Sequence, residues 1–133
     1  MTRPTYLFDA SSIVKAIKKA KIIPLGGQAL QWLTIYEVLN AFWKEANLLH
    51  KLDQEEASLI ISDFTELLRD VVIIEPYGLE KDILETSISK NITVYDASYI
   101  AIALKHNLIL VTEDQKLSSK ANSMVDVVCL EDL

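Results

Sequence analysis

The chain predicts an α/β fold, a parallel sheet with helices on both faces, and three observations lead there. Short apolar runs recur along it, each of strand length and bounded by polar or turn residues. Longer stretches with helical periodicity lie between them. The two kinds of segment alternate, and strands alternating with helices build a parallel sheet through right-handed crossovers.

Taken in order, strands are expected at 6–8, 71–74, 108–111 and 127–130. They are continuously apolar rather than alternating, as strands covered on both faces are. Helices are expected at 11–21, from 28 to about 50, at 53–69, 79–91 and 96–107, and at 115–121. The helix at 53–69 carries Asp53, Glu55 and Glu56 at its start, where the helix dipole favours acids. Pro24-Leu25-Gly26-Gly27 reads as a turn, and no repeat or low-complexity tract divides the chain. Residues 1–133 are expected to form one domain of three layers, α/β/α, around four or five parallel strands. Its active crevice should lie beyond the carboxyl ends of the strands.

Bulk composition narrows the function. Half of the 133 residues are hydrophobic, enough for a real core and for an apolar surface that a partner covers. The formal net charge of −6 argues against nonspecific coating of duplex nucleic acid, which needs a broadly basic face. An enzyme with local basic residues stays open. Cys129 stands alone, with no disulfide or thiolate metal set in prospect, so a reducing cytoplasm is expected. His50 and His106 lack ligand spacing and are read as residues near helix ends. The opening Met1-Thr2-Arg3-Pro4-Thr5 leads into only three apolar residues, too few for a signal-peptide core. No stretch approaches the ~20 apolar residues that cross a bilayer.

Four acids carry the chemistry. Asp9 ends the first apolar run, and Asp114 follows the run Leu108-Ile109-Leu110-Val111. Asp96 opens a helix, which faces the same sheet edge if it runs antiparallel to the other helices or crosses the rim. Glu37 lies among Ile35, Tyr36, Val38 and Leu39, about a third of the way along its expected helix. Each has a plainer reading. Asp9 and Asp114 serve equally well as helix caps, Asp96 suits any helix start, and Glu37 shares a stripe with Lys44. Magnitude separates the cases. Two carboxylates ~4 Å apart repel by about 4 kcal/mol at an effective dielectric of 20. Four together would exhaust the ~5–15 kcal/mol that holds a domain folded. Either they are dispersed caps, or a cation holds them together. An all-oxygen set favours Mg²⁺ or Mn²⁺ over zinc, with Asp9 and Asp96 as first choices for direct ligands.

The segments Phe8-Asp9-Ala10-Ser11, Tyr36-Glu37-Val38-Leu39-Asn40-Ala41, Tyr95-Asp96-Ala97-Ser98-Tyr99-Ile100-Ala101-Ile102-Ala103 and Leu110-Val111-Thr112-Glu113-Asp114-Gln115-Lys116-Leu117 together resemble the PIN-domain family. Within it they look like the VapC-like ribonuclease toxins of toxin–antitoxin pairs. Each string is weak alone, while four in order across nearly the whole chain are specific. The resemblance implies a Mg²⁺- or Mn²⁺-dependent endoribonuclease with Asp9, Glu37, Asp96 and Asp114 as its acidic quartet. Ser11 and Thr112 would support the quartet through their hydroxyls, and Asn40 would line the site. It also implies a homodimer, a small antitoxin whose tail enters the cleft, and products with a 5′-phosphate and a 3′-hydroxyl.

In that chemistry a bound water becomes acidic enough to attack phosphorus near neutral pH, and Asp114 or Glu37 takes its proton. Lys15, Lys18, Lys19 and Lys21 would hold the RNA backbone, or else are simply a solvated helix face. Tyr36, Tyr95 and Tyr99 would stack bases or pack in the core. Trp32, Phe42 and Trp43 exceed what one buried stripe needs, so part of their helix is expected to meet a second copy or the antitoxin. Three rivals remain in view: a non-catalytic module that keeps the acids as caps, a nuclease of RNA processing or decay, and an aspartate-based phosphatase or phosphoacceptor domain. The last needs Asp-x-Asp or adjacent acids at the first strand, and Asp9 is followed by Ala10 and Ser11.

Overall fold

Five parallel strands hydrogen-bond side by side in the order β3-β2-β1-β4-β5. The computed structural model describes residues 3–133, the side chain of Ile23 apart, so Met1 and Thr2 of the opening segment lie outside the described residues. In chain order the elements are β1 (Tyr6–Phe8), α1 (Ala10–Lys18), a 3-10 turn (Ile23–Leu25), β2 (Ala29–Gln31) and α2 (Trp32–Asn47). Then come α3 (Gln54–Leu68), β3 (Val72–Ile74), α4 (Glu80–Lys90), α5 (Val94–His106) and β4 (Ile109–Val111). The chain finishes with α6 (Gln115–Ala121), β5 (Val127–Val128) and a second 3-10 turn (Leu130–Asp132).

Successive side chains of a strand point to opposite faces, and here each face meets its own core. Leu7, Ala29 and Leu110 pack on one side with Ile100 and Ala103 of α5 and Leu117 of α6. Phe8, Leu30 and Val111 pack on the other with Ile13 of α1, Val38 and Phe42 of α2, and Phe64 of α3. Two covered faces account for the continuously apolar strands. Helix α5 goes further, burying seven consecutive residues from Ala97 to Ala103. A helix apolar on all sides belongs in the interior. No helix among the described residues is long and apolar enough to cross a membrane.

The expected three-layer α/β/α architecture is the one observed, with five strands. The main difference lies at 28–31, expected as the start of a long helix and found as β2. Ala29, Leu30 and Gln31 have good helix propensity, but pairing with β1 and β3 on both sides overrides it. Gln28 assists from just outside the strand. Its Oε1 accepts the backbone N–H of Thr5 at 2.8 Å and of Tyr6 at 2.9 Å. The side chain thereby extends a β1–β2 pairing that has only one register pair, Leu7 with Ala29. Gly27, immediately before, has φ +73°, a conformation most side chains resist. At the other end of α2, a capping box of Asp53 and Glu56 starts α3, so Asp53 is the cap rather than a first-turn acid.

Gln28→Ala is expected to cost about 1 kcal/mol in denaturant unfolding, the typical net worth of such bonds. Amide exchange should quicken at Thr5 and Tyr6 while Leu110 stays protected. Unchanged exchange at Thr5 and Tyr6 would show that the side chain does not hold this edge.

Candidate metal centre at the carboxyl edge of the sheet

From β1 the chain first builds outward to β2 and β3, then crosses back to place β4 and β5 on the other side of β1. Where strand order reverses, neighbouring connections leave in opposite directions and a crevice opens beyond the strand ends. That switch point lies between β1 and β4. Asp9 immediately follows β1, and the loop Thr112-Glu113-Asp114 immediately follows β4.

Asp9 is only 5% exposed and caps α1. Its Oδ1 accepts the Ser12 backbone N–H at 2.9 Å, and its Oδ2 accepts the Thr112 hydroxyl at 2.5 Å. The Ser11 hydroxyl reaches both oxygens, at 2.8 and 2.9 Å. The loop beyond β4 orients these donors in turn, since Glu113 N–H donates to Ser11 Oγ and Asp114 N–H to Thr112 Oγ1. Burial pushes the Asp9 carboxyl above its ordinary value, and the bonds from Thr112, Ser12 and Ser11 pull against that rise.

Glu37 reaches the same edge because α2 starts directly at the end of β2, which leaves it only in the second helical turn. Its Oε1 accepts the Tyr99 hydroxyl at 2.6 Å. Partial burial raises its pKa; the Tyr99 bond opposes the rise, and the charges of Asp9 and Asp96 add to it. Asp96 arrives by a route the sequence reading did not foresee. Helix α5 leads through Asn107 straight into β4, so it runs antiparallel to the strands, as α1 does, and its first turn stands at their carboxyl edge. Thr93 caps α5 by accepting Asp96 N–H at 3.1 Å, so Asp96 is not the cap. Among the described residues neither of its carboxylate oxygens accepts a hydrogen bond. Burial and the charge of Asp114 raise the Asp96 pKa, while Lys116 lowers it.

Asp114 is exposed and caps α6, accepting Lys116 N–H at 2.9 Å and Leu117 N–H at 3.2 Å. Capping and membership of the acidic group are therefore not alternatives for Asp9 and Asp114; each does both. The four carboxylates form an electrostatic series, Asp9 and Asp96 each felt by Glu37, and Asp114 felt by Asp96. They do not form a ready-made cage. Among the described residues no three acids, histidines or cysteines stand close enough to hold an ion by themselves. The all-oxygen donor set suits a hard cation that keeps several of its waters, which is how Mg²⁺ usually binds. With Asp9 already engaged by four contacts, Asp96 and the unbonded Oε2 of Glu37 are the more open donors.

A groove of about 810 Å³ runs from this edge between α1 and α2, lined by Ser11, Val14, Tyr36, Glu37, Asn40 and Lys44. Asn40 is exposed there, and Lys44 is a lining residue to which the sequence assigned no such place. Of the four lysines considered for RNA, Lys15, Lys18 and Lys19 are engaged with acids, while Lys21 makes no ion pair among the described residues. Lys15 pairs with Glu113 at 2.6 Å and Glu131 at 3.3 Å, Lys18 with Glu45, and Lys19 with Glu131 at 3.3 Å. Of the three tyrosines, Tyr36 and Tyr95 are exposed and Tyr99 is buried. Sequence reasoning overlooked the bond of Tyr99 to Glu37 and that of Thr34 to Tyr99, though the spacing carried a signal: Tyr99 is one turn beyond Asp96, and Thr34 one turn before Glu37.

Because the folded state raises the Asp96 pKa, it holds the proton more tightly than the unfolded chain does. The stability contribution of Asp96 therefore falls as pH rises from its ordinary value, about 4, through the raised one. Asp96→Asn removes that loss. In metal-free protein at neutral pH its melting temperature should rise by a few degrees. The gain is about 1 kcal/mol at most, since the half-exposed carboxylate is screened and the helix start attracts it. The gain should vanish below about pH 4, where both states bind the proton. Calorimetry showing a lower melting point at neutral pH would contradict this account.

Comparison with known proteins places the geometry in context. Residues 6–122 match the family model described as PIN domain. The chain is 34% identical over 132 residues to a protein named exonuclease VapC9 from Pyrobaculum aerophilum, covering 94% of this chain and 92% of that one. It is 32% identical over 93 residues to ribonuclease VapC3 of the same organism, covering 70% of each chain. Among solved structures, that of PAE2754 from Pyrobaculum aerophilum superposes with a TM-score of 0.80 at 28% identity, over 98% of this chain and 94% of the other. A toxin–antitoxin complex from Klebsiella pneumoniae shares the fold at a TM-score of 0.60 and 21% identity, over 93% and 96% of the two chains. With a family match across most of its length and a relative this similar over nearly all of it, the chain belongs to the PIN domain family.

Proposed function

We propose that this chain is a Mg²⁺- or Mn²⁺-dependent ribonuclease that cuts RNA internally, and that it is the toxin of a toxin–antitoxin pair in the cytoplasm. The observation that carries the reading is the gathering of Asp9, Glu37, Asp96 and Asp114 at the switch-point crevice, where burial and then the neighbouring acids raise the pKa values of Glu37 and Asp96. The names of the two Pyrobaculum relatives, an exonuclease and a ribonuclease, support phosphodiester hydrolysis. The toxin role rests on the sequence resemblance.

When bound, the divalent cation supplies Lewis acidity toward water and toward the phosphate oxygens. Asp96 and Glu37 would hold it, with Asp9 and Asp114 completing the acidic set around it. Ser11 and Thr112 keep the Asp9 carboxylate fixed with their hydroxyls. Asp114, the most exposed of the four, is placed to accept the proton that the attacking water loses. Asn40 and Lys44 border the groove that admits the strand, and Tyr36 offers an exposed face on which a base can stack. Lys15, Lys18 and Lys19 hold RNA phosphates only by exchanging them for their present carboxylate partners.

The name of the VapC9 relative favours a second reading, removal of nucleotides from an end. A circular RNA separates the two, because it has no end. With Mn²⁺ the purified protein should linearise the circle, and Asp96→Asn, the variant expected to melt higher, should lose at least about 100-fold in rate. Cleavage of linear RNA alone would establish the exonuclease reading, and an Asp96→Asn variant as fast as the parent would remove Asp96 from the site.

The partner surface belongs to the same proposal. Trp32, Leu39 and Trp43 recur at helical spacing along α2 and are all exposed, Trp43 by 49%, while Phe42 turns into the core. A second copy covers this stripe in the proposed homodimer, and a small antitoxin approaches the adjoining groove. Trp43→Glu should convert the dimer to monomer in sedimentation without altering Mn²⁺ affinity. Unchanged sedimentation of a dimer would exclude the stripe.

A further inference from the structure

A line of hydroxyl groups stands behind Glu37. Tyr99, only 2% exposed, brings its Oη to 2.6 Å from Glu37 Oε1 and 2.8 Å from Thr34 Oγ1. A phenol has one proton and an ionised carboxylate has none to give. The Tyr99 proton therefore lies on the Glu37 contact, and the Thr34 hydroxyl must donate to Tyr99. Thr34 Oγ1 in turn is reached by the backbone N–H of Gln31, at a long 3.4 Å. Donors thus point one way, from the end of β2 through Thr34 and Tyr99 to Glu37, and each bond polarises the next.

Packing alone does not call for that oxygen. Tyr99 sits in the core cluster with Leu7, Ile102 and Leu110, where a phenyl ring fills the same space. What the hydroxyl adds is a fixed acceptor for Thr34 and a fixed donor for Glu37. It occupies Oε1 and leaves Oε2 as the Glu37 oxygen with no hydrogen bond among the described residues.

We propose that Tyr99, oriented by Thr34, is a positioning residue that presents one chosen oxygen of Glu37 to the divalent cation. This rests on the metal-dependent reading above and deepens it. Groups that orient a metal ligand from behind are typically worth about 10–100-fold in metal affinity. Tyr99 touches neither substrate nor ion, so its influence must pass through Glu37.

Calorimetric Mn²⁺ titration of the full chain, Tyr99→Phe, Glu37→Gln and the double variant tests this without any substrate. Tyr99→Phe should bind Mn²⁺ about 10-fold more weakly, and the double variant no more weakly than Glu37→Gln alone, because the coupled partner is already gone. Thr34→Val should give a smaller loss in the same direction, and it carries the same cycle should Tyr99→Phe not fold. Wild-type affinity in Tyr99→Phe overturns the inference while leaving the metal centre standing. An equal loss in both backgrounds overturns it too, since that is the mark of a merely structural tyrosine. Absence of Mn²⁺ binding by the unmodified protein overturns the metal centre itself, and this inference with it.

Discussion

Repulsion among carboxylates at one sheet edge is the constraint on which the architecture of this protein turns. The fold offsets it with what it has to hand. Asp9 caps α1, Asp114 caps α6, and Asp96 lies in the first turn of α5, so three helix N-termini converge on the acids. Each presents roughly half a positive charge, about one and a half units against four. Hydroxyl and amide donors add to this at Asp9, yet its carboxyl still lies above the ordinary range. The balance left over is negative, and the proposed hard cation would offset it. A preformed cage would have raised the cost of the empty site. The observed spacing, with no three acids in ligand contact, keeps that cost tolerable.

Support for such a site comes from packing and hydrogen bonds that extend beyond the acids themselves. Helix α5 carries Asp96 on its first turn and is buried through the seven residues that follow, so the acid stands on a helix anchored in the core. Glu113 performs a similar service for the loop after β4. Its side chain accepts the Leu130 backbone N–H at 2.8 Å and pairs with Lys15, and its own N–H donates to Ser11. One residue thereby joins α1, the β4 exit and the closing 3-10 turn around Asp9. The same few bonds that orient Asp9 also close the chain.

Which features could be read from sequence depended on how local their causes are. Asp9 and Asp114 were legible because a strand end and a following helix start are both short-range signals. The type of every helix was legible for the same reason. Strand β2 was not: Ala29, Leu30 and Gln31 become extended only through partners at 7 and 72–74, remote in the chain. That single miss displaced Glu37, which appeared well inside a helix and in fact stands in its second turn. The direction of α5 stayed conditional, although a helix running directly into β4 must travel antiparallel to it and so begin at the carboxyl edge. Tyr99 was ambiguous in principle, since a tyrosine beside an acid looks alike whether it stacks, packs or positions.

A chain of net charge −6 with an acidic cleft repels a polyanion at long range. For a nuclease, attraction then has to be local, and the lysines of α1 and the residue after it show how it arises. Lys19 and its partner Glu131 are both largely exposed, and a pair of that kind contributes about 0–1 kcal/mol. A phosphate can displace such a partner at little cost, whereas a lysine buried against an acid could not exchange. In the proposed mechanism a cation held by the acids would supply the remaining attraction beside the scissile phosphate, so ion and substrate binding would reinforce each other. Acidity of the whole chain is thus compatible with RNA cleavage: it discourages indiscriminate binding along a duplex and reserves affinity for a strand that reaches the loaded centre.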